Sequence, residues 1–85
     1  MNTDFSEQAI ADISHWNKTD PKKVDKIVRL LDDIEAHPFE GIGKPEALKH
    51  DLQGYWSRRI DREHRLVYKV DGDTIFVASC RYHYK

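Results

Sequence analysis

Apolar residues recur at helical spacing twice in the first half of the chain and alternate with polar ones in the second. Ala9, Ile10, Ile13 and Trp16 share one side of a helix, which predicts a short amphipathic helix over residues 6–17 with Ser6 as N-cap and Glu7 near its positive end. Thr19-Asp20-Pro21 is a second start signal, with Asp20 as cap and Pro21 at the first helical position. Val24, Ile27, Val28, Leu31 and Ile34 form the stripe of a longer helix, with Leu30 beside it. Lys22 and Lys23 oppose that helix's dipole at a small cost. His37-Pro38 ends it, because a residue before proline avoids the helical region. So short a link makes the two helices an antiparallel hairpin.

Residues 38–45 lack periodicity and carry two prolines, Gly41 and Gly43, so they read as loop. Residues 46–50 fit either a turn of helix or the approach to a strand. Residues 55–60 alternate and form a strand, and Asp61-Arg62-Glu63-His64 is a connection of hairpin length. A second strand covers 65–70, a turn sits at Asp71-Gly72-Asp73, and an apolar strand covers 74–80. Met1 to Phe5 is weak as a strand on its own. Consecutive hairpins make an antiparallel meander, and the helices supply an apolar layer for one face. The expectation is α+β: two N-terminal helices packed on an antiparallel sheet, in one domain over residues 1–85.

Composition narrows the core and the compartment. Of the 85 residues 39% are hydrophobic and 34% charged, so the core is modest and a partner could add stability. One cysteine, Cys80, allows no internal disulfide and suits a reduced compartment. No apolar run has signal-peptide or membrane-spanning length, which points to a cytoplasmic protein with no membrane partner.

A net charge of −1 hides an asymmetry. Residues 1–43 carry five Lys/Arg against nine Asp/Glu, and residues 44–85 carry nine against six, with three of the five histidines. A basic half with interleaved aromatics suits a phosphate-facing surface. The excess is too small for strong free binding to nucleic acid, so an RNA target would need something else to hold it.

Scattered histidines and a lone cysteine give no metal-ligand spacing, and Gly41-Ile42-Gly43 is too short for a phosphate loop. Cys80, mid-strand in an apolar run, is expected to be packed. What remains is acid–base chemistry supported by cations. RNA cleavage by its own 2′-hydroxyl needs a base, a cation for the crowded phosphate and an acid for the leaving 5′-oxygen. The basic half offers Glu46, the strand arginines Arg58, Arg59 and Arg65, and His83, with Tyr55, Trp56, Tyr82 and Tyr84 as rings on which a base could stack. Taken singly, each is more often ordinary surface or packing than part of a site.

Six ordered blocks change that balance: Pro38-Phe39-Glu40-Gly41, Gly43-Lys44-Pro45-Glu46, Leu48-Lys49-His50, Trp56-Ser57-Arg58-Arg59-Ile60, Glu63-His64-Arg65-Leu66-Val67-Tyr68 and Cys80-Arg81-Tyr82-His83-Tyr84. Together they closely resemble the YoeB (Txe/YoeB) toxins of the RelE/ParE superfamily. The resemblance spans essentially the whole chain and is densest from Pro38 onward. It implies the RelE-like microbial RNase fold and a toxin that cleaves mRNA on the 70S ribosome without metal or other cofactor. It further implies neutralisation by a YefM-type antitoxin, and a homodimer. By position in the matching blocks, Glu46 would be the general base, His83 the general acid, Arg65 the cation at the scissile phosphate and Tyr84 an orienting group. Lys49 and Arg59 would give further basic support to the substrate. A histidine is mostly neutral at pH 7, so His83 would need a nearby phosphate or carboxylate to hold its proton.

Two features depart from the family pattern. Residues 2–5 are more polar than its first strand, which predicts a short or frayed one. Lys85 follows the tyrosine at which the family commonly ends. A binding module that occupies the ribosome or the antitoxin without cleaving is the alternative reading.

Overall fold

The computed structural model describes residues 1–82, so the expectations for His83, Tyr84 and Lys85 lie outside the described residues. Strand β1 (Asn2–Phe5) leads into helices α1 (Glu7–Thr19) and α2 (Pro21–Ala36). Strands β2 (Glu46–Ala47), β3 (Trp56–Arg59), β4 (Arg65–Asp71) and β5 (Thr74–Ser79) follow, with a turn of 3-10 helix at His50–Leu52 after β2. The sheet order is β1-β5-β4-β3-β2, and the expected meander is its antiparallel part. The ambiguous stretch after Pro45 resolves into both alternatives, a two-residue strand and then a helical turn.

The first strand is short, as expected, but it is not frayed and it departs from the antiparallel pattern. Residues 2–5 pair with Thr74–Val77 over their full length, and they do so in parallel. Their polarity suits an edge: Asn2 and Asp4 face solvent, and charge on an edge strand discourages pairing with another chain.

Both helices cover one face of the sheet, with Ala9 and Trp16 of α1 and Ile27, Leu30 and Ile34 of α2 buried against Leu66, Tyr68, Ile75, Val77 and Cys80. The stripes are shifted slightly from the expected ones. Leu30, placed at the margin, is fully buried, whereas Ile10 and Val28 are 58% and 51% exposed. Each of these two sits one residue from a core position, and neighbours in sequence point ~100° apart around a helix. Ser6 caps α1 as expected, accepting from the Ala9 amide at 2.9 Å. Asp20 makes no side-chain cap to α2, because its extended backbone serves as the end of α1, its amide donating to Trp16 O at 2.8 Å. The Lys23 ammonium, expected to be a small dipole cost, instead meets Asp61 Oδ2 at 2.7 Å.

That ion pair fixes the β3–β4 connection. Asp61 Oδ1 accepts from the amides of Glu63 (2.8 Å) and His64 (2.7 Å), closing the turn on itself. Burial pushes the Asp61 carboxyl up, but Lys23 and the two amides outweigh it and bring it down to about 2. The folded value lies below the ordinary 3.8, so this stabilisation is complete above about pH 4 and is lost as pH falls toward 2. Urea titrations across that window should show wild type losing about 1–2 kcal/mol more than Asp61→Asn. Equal losses in both would mean that the turn does not hold the carboxylate in its charged form.

Candidate active site

The sheet's second face is the one that α1 and α2 do not cover; Ser57 and Val67 at its centre are nonetheless buried, and register decides what it presents. Pairs Glu46↔Ser57, Ser57↔Val67 and Val67↔Ser79 form one row across four strands. Leu66 and Tyr68, which flank Val67, lie in the core under the helices, so this row points the other way. Arg59 lies two residues along from Ser57 and directly opposite Arg65, on the same face. The register thus gathers Glu46, Arg59 and Arg65 on one surface, with Glu46 at the edge. Lys49 is exposed in the segment after β2.

Electrostatically this surface is unspent. Among the described residues, none of Glu46, Lys49, Arg59 and Arg65 has an ion-pair partner. The Arg65 guanidinium donates to carbonyls of the adjacent turn, Asp61 O at 3.3 Å and His64 O at 3.4 Å. Two arginines directly opposite on adjacent strands repel each other, a cost of about 0.2–1 kcal/mol that an anion lying between them would remove. Beyond them Lys69 lies over the rings of Tyr55 (5.2 Å) and Phe76 (5.6 Å), so Tyr55 belongs to this face as expected. Trp56 does not, because its ring packs against Phe39 at 4.8 Å on the other side.

Arg58 also leaves the candidate set. It is fully buried and pairs with Asp33 on α2, whose carboxyl it holds below its usual range together with the Ile42 amide. The guanidinium also donates to Ile42 O (3.2 Å), Glu40 O (2.8 Å) and His37 O, and Nε donates to the Tyr68 hydroxyl (3.2 Å). Tyr68 in turn donates to Pro38 O at 2.7 Å. Burial raises the Tyr68 phenol, despite the arginine beside it, and keeps it a donor. Four carbonyls of the loop between α2 and β2 are therefore read by two buried side chains. At the loop's end Gly43 O accepts from the Arg59 amide at 2.7 Å, in a backbone with φ +80° where a Cβ would stand 2.8 Å from Leu30 Cδ2. Glu46 follows three residues later.

The other approach to the site is the stretch after β5. Cys80 is fully buried, and burial beside Asp12 pushes its thiol up to about 12, so it is packing, as expected, and no nucleophile. Its backbone is held from both sides by α1: its amide donates to Asp12 Oδ2 at 2.9 Å, and its carbonyl accepts from Trp16 Nε1 at 2.8 Å. The apolar stripe of α1 does not by itself point to Asp12. Its signal is a carboxylate three residues from Ala9 and four from Trp16, on the buried side of α1. Tyr82, a predicted stacking ring, is 60% exposed, with the Arg81 guanidinium 4.6 Å over it.

Known proteins match this chain in sequence and in fold. A model of the YoeB-like toxins of bacterial type II toxin–antitoxin systems matches residues 5–84. Toxin YoeB of Escherichia coli strain K12 is 52% identical over 84 residues, covering 99% of this chain and all of that one. Two solved structures from Staphylococcus aureus align over 99% of this chain and 98% of theirs at 53% identity. They are a YoeB dimer at a TM-score of 0.93 and a heterotetrameric YoeB–YefM complex at 0.91. With two helices on one face of a mostly antiparallel five-stranded sheet and a match over nearly its whole length, the chain belongs to the YoeB-like toxin family of bacterial type II toxin–antitoxin systems.

Proposed function

We propose that this toxin is a metal-independent endoribonuclease that cuts mRNA in the ribosomal A site and so arrests translation. The observation that carries the reading is the sheet's second face, where one register brings Glu46 together with Arg59 and Arg65 and leaves all three without ion partners among the described residues. In this reading the Glu46 carboxylate takes the proton of the 2′-hydroxyl as its oxygen attacks phosphorus. Arg65 bears the charge gathering on the phosphate. His83 gives a proton to the 5′-oxygen as the P–O5′ bond breaks, with Tyr84 orienting the group. Lys49 and Arg59 hold the flanking strand. The products are a 2′,3′-cyclic phosphate and a 5′-hydroxyl.

The surface is only mildly basic, which suits a substrate delivered by the 70S ribosome rather than captured free. The relatives' YefM complex and dimer extend the reading to a YefM-type antitoxin and a homodimer for this chain, working in the cytoplasm where ribosomes are. Mapping the ends of an mRNA held in 70S ribosomes tests it. Cuts confined to the A site, with cyclic phosphate on the upstream fragment, are expected. Intact mRNA on ribosomes that bind the protein would replace this reading with that of a non-cleaving module.

A further inference from the structure

The described tail ends in a latch made by a histidine that the proposed chemistry does not use. His64, the last residue of the β3–β4 connection, has Nδ1 2.7 Å from the Tyr82 amide, which donates to it. That contact sets the tautomer: Nδ1 is the acceptor, and Nε2 carries the proton. The imidazole is itself held, its side chain 14% exposed and its ring edge-on to Trp16 at 4.7 Å. Its next neighbour, Arg65, donates its amide to Tyr82 O at 3.1 Å. Both backbone polar groups of Tyr82 are thus taken by residues 64 and 65.

Tyr82 needs such a hold. Its φ of +63° is left-handed, a conformation that costs a non-glycine residue ~1 kcal/mol or more and persists only where surroundings impose it. Trp16 ties the two halves together, because it donates to Cys80 O while its ring supports His64. Residues 80–82 are therefore fixed at Cys80 by α1 and at Tyr82 by the β3–β4 connection. The next residue in the chain is His83.

We propose that His64 is a positioning residue: its unprotonated Nδ1 locks the left-handed turn at Tyr82 and so aims the chain that carries the general acid. This inference rests on the reading of His83 as that acid. His64 touches no substrate. It acts through the Tyr82 backbone, and a misplacement of about 1 Å at an acid can cost about 100-fold in rate.

Asparagine and glutamine separate this role from general support. In His64→Asn the amide oxygen can stand where Nδ1 stands, whereas in His64→Gln it falls nearer the position of Nε2. On programmed 70S ribosomes, His64→Leu and His64→Gln should cut about 10- to 100-fold more slowly at saturating toxin, with the half-saturating concentration unchanged. His64→Asn should cut within about threefold of wild type. In labelled protein the Tyr82 amide should stay protected from exchange in wild type and His64→Asn and lose protection in His64→Gln. The proposal is overturned if His64→Gln matches wild type, if Asn and Gln are equally slow, or if the loss lies in ribosome affinity. Should His64→Leu not fold, the Asn–Gln pair decides. A His83→Ala variant that cuts at the wild-type rate would instead overturn the reading of the acid, and the Tyr82 exchange result would still judge the latch.

Discussion

Arg65→Ala should lower cleavage of ribosome-held mRNA by about 10²–10³-fold while leaving the fold in place. The two halves of that expectation have separate grounds. In the proposed step Arg65 is the nearest cation to charge that exists only as the phosphate becomes five-coordinate, and removing one such donor costs about 10²–10³ in rate. For stability, its side chain is only half-buried and touches two carbonyls at 3.3 and 3.4 Å, so its removal should change unfolding free energy by less than about 1 kcal/mol. It also relieves the repulsion from Arg59 across the pair. Rate on programmed ribosomes and urea midpoint on the same preparation check both. A folded variant that cuts at the wild-type rate would move the phosphate away from Arg65.

Its neighbour-but-six in sequence behaves oppositely. Arg58→Leu should cost about 3–5 kcal/mol, a large part of the ~5–15 kcal/mol available to a domain. Leucine would leave Asp33 without its cation, with the carbonyls of His37, Glu40 and Ile42 and the Tyr68 hydroxyl each short of a donor. A drop in urea midpoint with an unchanged slope is the expected signature. Because those carbonyls shape the loop that delivers Glu46, cleavage should fall too, even under conditions where the variant is folded. A loss below about 1 kcal/mol would show that the loop is held by something other than this network.

These two arginines show what the sequence makes legible and where it stops. Both sit in the same polar and basic stretch, and composition treats them alike. Strand alternation separates them, since odd residues of β3 face out and even ones face in, but the alternation can be assigned a face only once the apolar partner across the strand is known. Leu66 opposite Arg58 supplies that partner, and Arg65 opposite Arg59 confirms the other face. The helices were legible because periodicity, capping and Pro21 all agree. β1 was not, because an edge strand buries little and its pairing is with residues seventy positions away. Asp12, Asp61 and His64 share a third reason. Each is polar, and what makes it structural is a backbone amide brought to it by the fold: Cys80 for Asp12, Glu63 and His64 for Asp61, and Tyr82 for His64. Side-chain-to-backbone contacts leave no trace in residue type. The proposed catalytic assignment rests only on a pattern of whole blocks, since none of Glu46, Arg59 or Arg65 differs locally from a surface charge.

The parallel pairing of β1 with β5 has a consequence for how the molecule is made. Strand β5 lies between β1 and β4, yet it follows every other strand in the chain. The helical hairpin can form early, but Ala9, Ile27, Leu30 and Ile34 lack their sheet partners until residues 66–80 exist. Contacts this distant in sequence also close slowly. An incomplete chain therefore has neither a covered helix layer nor an assembled second face. On the proposed reading, a nascent chain lacks its cleavage surface until β5 has been made.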